Sequence, residues 1–62
     1  QAESSSLPVY TVLNIEGEAH KQTFEVECYL EERNIKEIAE GASRRKAEQA
    51  AAQKILDKIN NE

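Results

Sequence analysis

Ser43 is followed by Arg44, Arg45 and Lys46, and then by the run Ala47-Glu48-Gln49-Ala50-Ala51-Ala52. These types in this order predict a helix that begins with three cations. Ser43 is suited to cap it, because a serine hydroxyl accepts a hydrogen bond from a free backbone N–H of the first turn. The reciprocal acid of a capping box is absent, since Lys46 stands three residues on. The cations oppose the helix dipole, which favours acids at the N-terminus, by roughly a few tenths of a kcal/mol each. Free amides with three cations make an anion site, and a phosphate backbone is one such anion. The same run also fits a solvated helix face, and residue type alone does not separate the two readings.

No second constellation competes for chemistry. Cys28 is the only cysteine and His20 the only histidine, so neither a disulfide nor a structural metal is expected within the chain. Cys28 falls on the apolar side of an alternating segment, which suits a small core residue better than a nucleophile. Glu25, Glu27, Glu31 and Glu32 crowd together in sequence, but no histidine or glycine-rich loop accompanies them. They read as a solvated strand face and turn. No nucleophile, base and orienting group occur together, so the chain is not expected to be an enzyme by itself. His20 reads as an ordinary exposed loop histidine when taken alone.

The elements that must position the helix start fit in 62 residues, enough for one small domain. The net charge of −4 argues against a polyanion partner until its distribution is considered. Residues 1–42 carry three cations against nine glutamates, whereas residues 43–62 carry five cations against three acids. Salt screens exposed charges beyond about 8 Å, so the cations at 44–46 outweigh the distant acids for a docked phosphate. No apolar run approaches the roughly 18 residues of a membrane span, and no secretory signal opens the chain. A lone cysteine suits a reducing setting, so a cytoplasmic location is expected.

Residues 1–6 are polar, with three serines, and read as a linker or frayed end. Pro8 suits a strand entry. Residues 9–16 read as a strand with Val9, Thr11, Leu13 and Ile15 on one face and Tyr10, Val12, Asn14 and Glu16 on the other. Residues 17–22 read as a hairpin loop in which Gly17 is free to take positive φ. In residues 23–30, Phe24, Val26, Cys28 and Leu30 alternate with polar residues, as in a half-buried strand. Asn34 closes the next turn and tolerates a left-handed conformation. In residues 35–40, Ile35, Ile38 and Ala39 match helical spacing, but the short length after a strand and turn suits a third strand, and they are read as one, giving the order β-β-β-α. A helix then spans residues 44–60, with Ala47, Ala50, Ala51, Ile55 and Ile59 in one stripe and Leu56 beside it. Tyr10 and Tyr29 read as packing residues.

Three motifs together carry a resemblance: Leu7-Pro8-Val9-Tyr10, then Gly17-Glu18-Ala19-His20 with Phe24 four residues on, then Ser43-Arg44-Arg45-Lys46-Ala47-Glu48-Gln49-Ala50-Ala51-Ala52. The chain resembles a double-stranded RNA-binding domain, closely that at the C-terminus of bacterial ribonuclease III. The resemblance covers residues 7–60, leaving 1–6 as a linker or remnant and 61–62 as a tail. It implies an α+β fold, α-β-β-β-α with the first helix before residue 1: a three-stranded antiparallel sheet with a C-terminal helix on one face. Strand is then favoured for residues 35–40. The implied function is shape-read binding of A-form duplexes across two minor grooves and the phosphates between them. Gly17, Glu18, Ala19 and His20 would enter a minor groove, with His20 and backbone groups meeting 2′-hydroxyls and base edges. Ser43, Arg44, Arg45 and Lys46 would meet the major-groove phosphates.

The resemblance also implies a parent endoribonuclease that cleaves duplex RNA in rRNA and mRNA processing. Its magnesium-dependent catalytic domain lies outside this chain, which itself has no catalytic residue, metal or cofactor. Three positions depart from the family pattern: Glu48 where lysine is frequent, Glu18 where proline is, and Ala39 where glycine is. The absent first helix implies that this chain is a fragment whose apolar side lacks a neighbour. Exposed apolar surface is expected there, with either weakened folding, association with another copy or a complementary helix from a partner. A homodimer would form through that face or through the parent's catalytic domain. The alternative is a protein-interaction module of the same fold with little RNA affinity.

Overall fold

A computed structural model of the chain describes residues 7–61; the expected linker or remnant at 1–6, and Glu62, lie outside the described residues. Three strands and a helix follow one another: β1 (Val9–Glu18), β2 (Lys21–Leu30), β3 (Ile35–Gly41) and α1 (Arg44–Asn60). The sheet is antiparallel in the order β1-β2-β3, and α1 packs over β2 and β3.

The segment at 35–41 is a strand because β2 offers it a full ladder, from Leu30 opposite Ile35 to Phe24 opposite Gly41. Pairing outweighs its mild helical propensity. Strand geometry also splits the apparent helical triplet: Ile35 and Ala39 are buried, while Ile38 turns to the outer face. The tight link from β2 is one 3-10 turn, Glu31–Arg33, closed by Asn34 in the left-handed region at φ 54°.

Directly opposed residues share a face of an antiparallel pair. Val26 opposite Ala39 and Cys28 opposite Glu37 therefore look toward α1, and Val26 and Cys28 are fully buried there. From the helix, Ala47, Ala51 and Ile55 are buried against them. Ala50, Ala52 and Ile59 pack around the edge, and Leu56 is left half exposed.

β1 departs from its sequence pattern. The register shifts between Val12 and Asn14, so Val12 opposes Val26 and Asn14 opposes Glu25. Leu13 is the extra residue of a bulge, and a one-residue bulge exchanges the two faces. Tyr10 and Val12 face α1 before it, and Ile15, opposite Phe24, faces that side after it. The expected grouping of Val9, Thr11, Leu13 and Ile15 therefore does not hold. Tyr10 packs against the core as expected, whereas Tyr29 lies on the outer face opposite Lys36, whose ammonium sits 6.0 Å from its ring.

The hairpin is longer, and its turn shorter, than the sequence suggested. β1 continues to Glu18 and β2 begins at Lys21, leaving Ala19 and His20 as a two-residue turn. The ladder to β3 ends at Phe24, so the hairpin overhangs the sheet by three residues of β2, about 10 Å at strand rise. Ile15, on this overhang, is 49% exposed although it faces the α1 side.

Candidate nucleic-acid interface

Antiparallel pairing brings two distant parts of the chain to one end of the molecule. β3 runs back along β2 and delivers Gly41, Ala42 and Ser43 beside the base of the hairpin. An open groove of ≈ 570 Å³ lies between them, with His20, Lys21, Gln22 and Thr23 on the hairpin wall and Glu40, Gly41 and Ala42 on the other. α1 begins directly after that second wall. The hairpin tip and the helix start thus flank one groove.

At the helix start, Ser43 is the cap. Its backbone is extended, and its Oγ accepts from the Lys46 N–H at 3.1 Å. The Ala47 N–H donates to the Ser43 carbonyl at 2.9 Å. The amides of Arg44 and Arg45 therefore have no partner within the helix. These two donors point along the helix axis at the positive end of its dipole. Arg44, Arg45 and Lys46 are all exposed, and the first turn contains no acid.

The two arginines differ. Glu48, one turn along, accepts from Arg44 Nε at 3.0 Å. The Arg44 side chain is 61% exposed and that of Glu48 26%. Among the described residues, no carboxylate pairs with Arg45 or Lys46. Further along α1 the lysines are used internally: Lys54 Nζ donates to the Ile38 carbonyl at 2.8 Å and Lys58 Nζ to Glu37 at 3.0 Å. Cation density that could meet an external anion is thus concentrated in the first turn.

On the hairpin, Gly17 has φ 98°, the left-handed value that glycine tolerates. Ala19 and His20 keep negative φ, so the turn is of neither primed type, both of which require positive φ. Glu18 and Lys21 oppose one another across it, and Gly17, Glu18, Ala19 and His20 are exposed. Lys21 also lines the groove, a cation outside the motif residues that the sequence points to. Its adjacency to His20 was the available signal. Among the described residues, no group of three His, Cys, Asp or Glu could hold a metal ion, and no helix is long and apolar enough to cross a membrane.

An antiparallel β-β-β sheet backed by a single C-terminal helix is an α+β domain of the dsRBD type. The family model for the double-stranded RNA binding motif matches residues 2–59, and the chain belongs to that family. It is similar to the C-terminal region of bacterial ribonuclease 3. Identity is 52% over 61 residues with Ribonuclease 3 of Vibrio atlanticus, covering 98% of this chain and 27% of that protein. It is 57% over 56 residues with Ribonuclease 3 of Pasteurella multocida, covering 90% and 25%. For the Shewanella loihica Ribonuclease 3 it is 58% over 53 residues, covering 86% and 24%. The chain spans about a quarter of the length of these curated relatives.

Proposed function

We propose that this chain binds double-stranded RNA by shape, with the hairpin tip in a minor groove and the start of α1 on the phosphates across the adjacent major groove. The observation that supports the reading is that the groove wall facing His20 runs through Gly41 to Ala42, two residues before the exposed Arg44 and Arg45 that open α1. Guanidinium groups fork onto phosphate oxygens, and Lys46 adds a mobile point charge beside them. Gly17, Glu18, Ala19 and His20 reach base edges and 2′-hydroxyls in the wide, shallow A-form minor groove; B-form DNA lacks both the 2′-hydroxyl and that groove shape. Ser43 serves mainly by holding the helix start in place.

In the longer protein, this domain holds a duplex for a ribonuclease III-type endonuclease acting in rRNA and mRNA processing in the cytoplasm. Cleavage there belongs to a separate magnesium-dependent domain, and this chain brings no catalytic residue of its own. Homodimerisation is proposed through that domain.

The test is binding to an RNA duplex of 16–20 base pairs across a salt series. Two or three neutralised phosphates give a log–log slope of roughly −2 to −3. A salt-independent affinity, or equal affinity for B-form DNA of the same sequence, overturns the reading. A second reading, a protein-interaction module, is favoured by one observation: an apolar groove of ≈ 200 Å³ lined by Pro8, Cys28, Leu30, Ala52, Ile55, Leu56 and Ile59. It requires concentration-dependent association without RNA, measurable by sedimentation.

A further inference from the structure

We infer that Glu48 is a positioning residue for RNA binding: it holds the Arg44 guanidinium by its Nε–H and leaves the outer fork free for a phosphate. The inference rests on the RNA-binding reading above and assigns a part of that site which the cations alone do not reveal.

The argument begins with donor geometry. A guanidinium has five N–H donors, one on Nε and four on the two Nη atoms. Glu48 takes the Nε–H at 3.0 Å. The four Nη donors have no partner among the described residues, and they form the end-on fork that matches phosphate oxygens. One carboxylate oxygen thus engages the side of the group and leaves its tip presented.

Glu48 is itself held. Its side chain is only 26% exposed, against 61% for Arg44. It lies on the flank of the buried helix stripe, next to Ala47 and one turn before Ala52. Burial is the main cause that raises the Tyr10 hydroxyl and the Cys28 thiol above their ordinary values, and the Glu48 charge adds a smaller rise to each. A carboxylate largely withdrawn from solvent is a steadier post for a long, mobile side chain than one in open water. Ordering such a side chain in advance removes a cost that binding would otherwise carry.

The opposing effect is repulsion between Glu48 and the incoming phosphate. That repulsion acts across an exposed surface, where water and salt weaken it. The Nε contact persists while the Nη fork binds, so nothing is broken on association. Positioning therefore outweighs repulsion.

The experiment compares Glu48→Ala and Glu48→Gln, each with and without Arg44→Ala, using a 20-base-pair RNA duplex at fixed salt. Alanine suits a helix interior, so the fold is retained. Glu48→Ala is expected to weaken binding about three- to fivefold, the scale of ordering one long side chain. Glu48→Gln keeps an oxygen acceptor for Nε and is expected to restore parental affinity or better. In the Arg44→Ala background both substitutions lose their effect. The Arg44 Nε–H resonance, followed by NMR, should lose its exchange protection in Glu48→Ala and keep it in Glu48→Gln. Tighter binding by both variants would make Glu48 a competitor and overturn the inference, and so would a Glu48→Ala loss that persists without Arg44. In both cases Arg44→Ala still weakens binding, and the phosphate-site reading stands. If Arg44→Ala alone leaves affinity unchanged, both readings fall together.

Discussion

Gly41 at the end of β3 lies hard against Ala47 in the first turn of α1: a Cβ built on Gly41 would stand 2.5 Å from the Ala47 nitrogen. The obstacle is backbone on both sides, with no flexible side chain to move aside. This contact seats the helix start beside the hairpin groove. Gly41→Ala is expected to destabilise the domain by about 1–3 kcal/mol, the usual scale of overpacking. Urea unfolding measures the loss, and RNA affinity should fall with it because the cationic first turn is displaced.

The paired substitution Arg44→Ala with Arg45→Ala separates binding from folding. Both side chains are exposed, and the lost ion pair with Glu48 is a surface contact worth about 0.3–0.5 kcal/mol. Unfolding free energy should change by no more than about 0.5 kcal/mol. RNA affinity should drop, and the salt slope should become shallower by about two units. Parental affinity in the double variant would move the phosphate site away from the helix start.

Gly17→Ala probes the hairpin. Gly17 has φ 98°, and an added Cβ would collide with the Lys21 carbonyl oxygen across the pair. Strain and collision act together, so a loss of at least about 1 kcal/mol is expected. Because Lys21–Thr23 pair with β1 alone and have no β3 partner, amide exchange should accelerate at residues 16–23 more than in the core of β2.

Stability should fall at alkaline pH. Burial raises the Cys28 thiol above its ordinary value of 9.0, with the Glu48 carboxylate adding to the rise and the Tyr10 hydroxyl partly offsetting it. Burial also raises the Tyr10 phenol above 10.0, reinforced by Cys28 and then Glu48. The folded state holds both protons more tightly than the unfolded chain. As pH climbs past about 9, the unfolded chain releases them first, so unfolding becomes easier until the folded groups also ionise. Thermal midpoints from pH 7 to 11 should decline above pH 9, and less steeply in Cys28→Ala. A decline of equal steepness in that variant would place the titration elsewhere.

Much of the architecture was legible because it is local. Ser43 announced the helix start by its hydroxyl and by the residues after it, and the cap lies where the sequence put it. Asn34 took the left-handed turn that few other side chains accept. The alternation of Phe24, Val26, Cys28 and Leu30 marked the core side of β2, which has the α1 stripe on its buried side. The segment at 35–41 was harder, since its helical and extended patterns were nearly balanced. Only the ladder with β2 decided between them.

Residue order by itself determined β2, the helix and its cap, the turn at Asn34 and a cationic first turn, since each depends on neighbours a few positions apart. Tertiary structure decided the rest. The bulge at Leu13 exchanged the faces of β1 because a single extra residue reverses every later side chain, and no residue type there signals it. The groove between His20 and Gly41 exists because strand register sets how far the hairpin overhangs. The ion pair of Arg44 with Glu48, one turn apart, was available from spacing, yet the same spacing leaves Arg45 and Gln49 unbonded. Two things separate the pairs: Glu48 is a charged carboxylate where Gln49 is a neutral amide, and packing leaves the Glu48 side chain only 26% exposed while Gln49 lies on the open face.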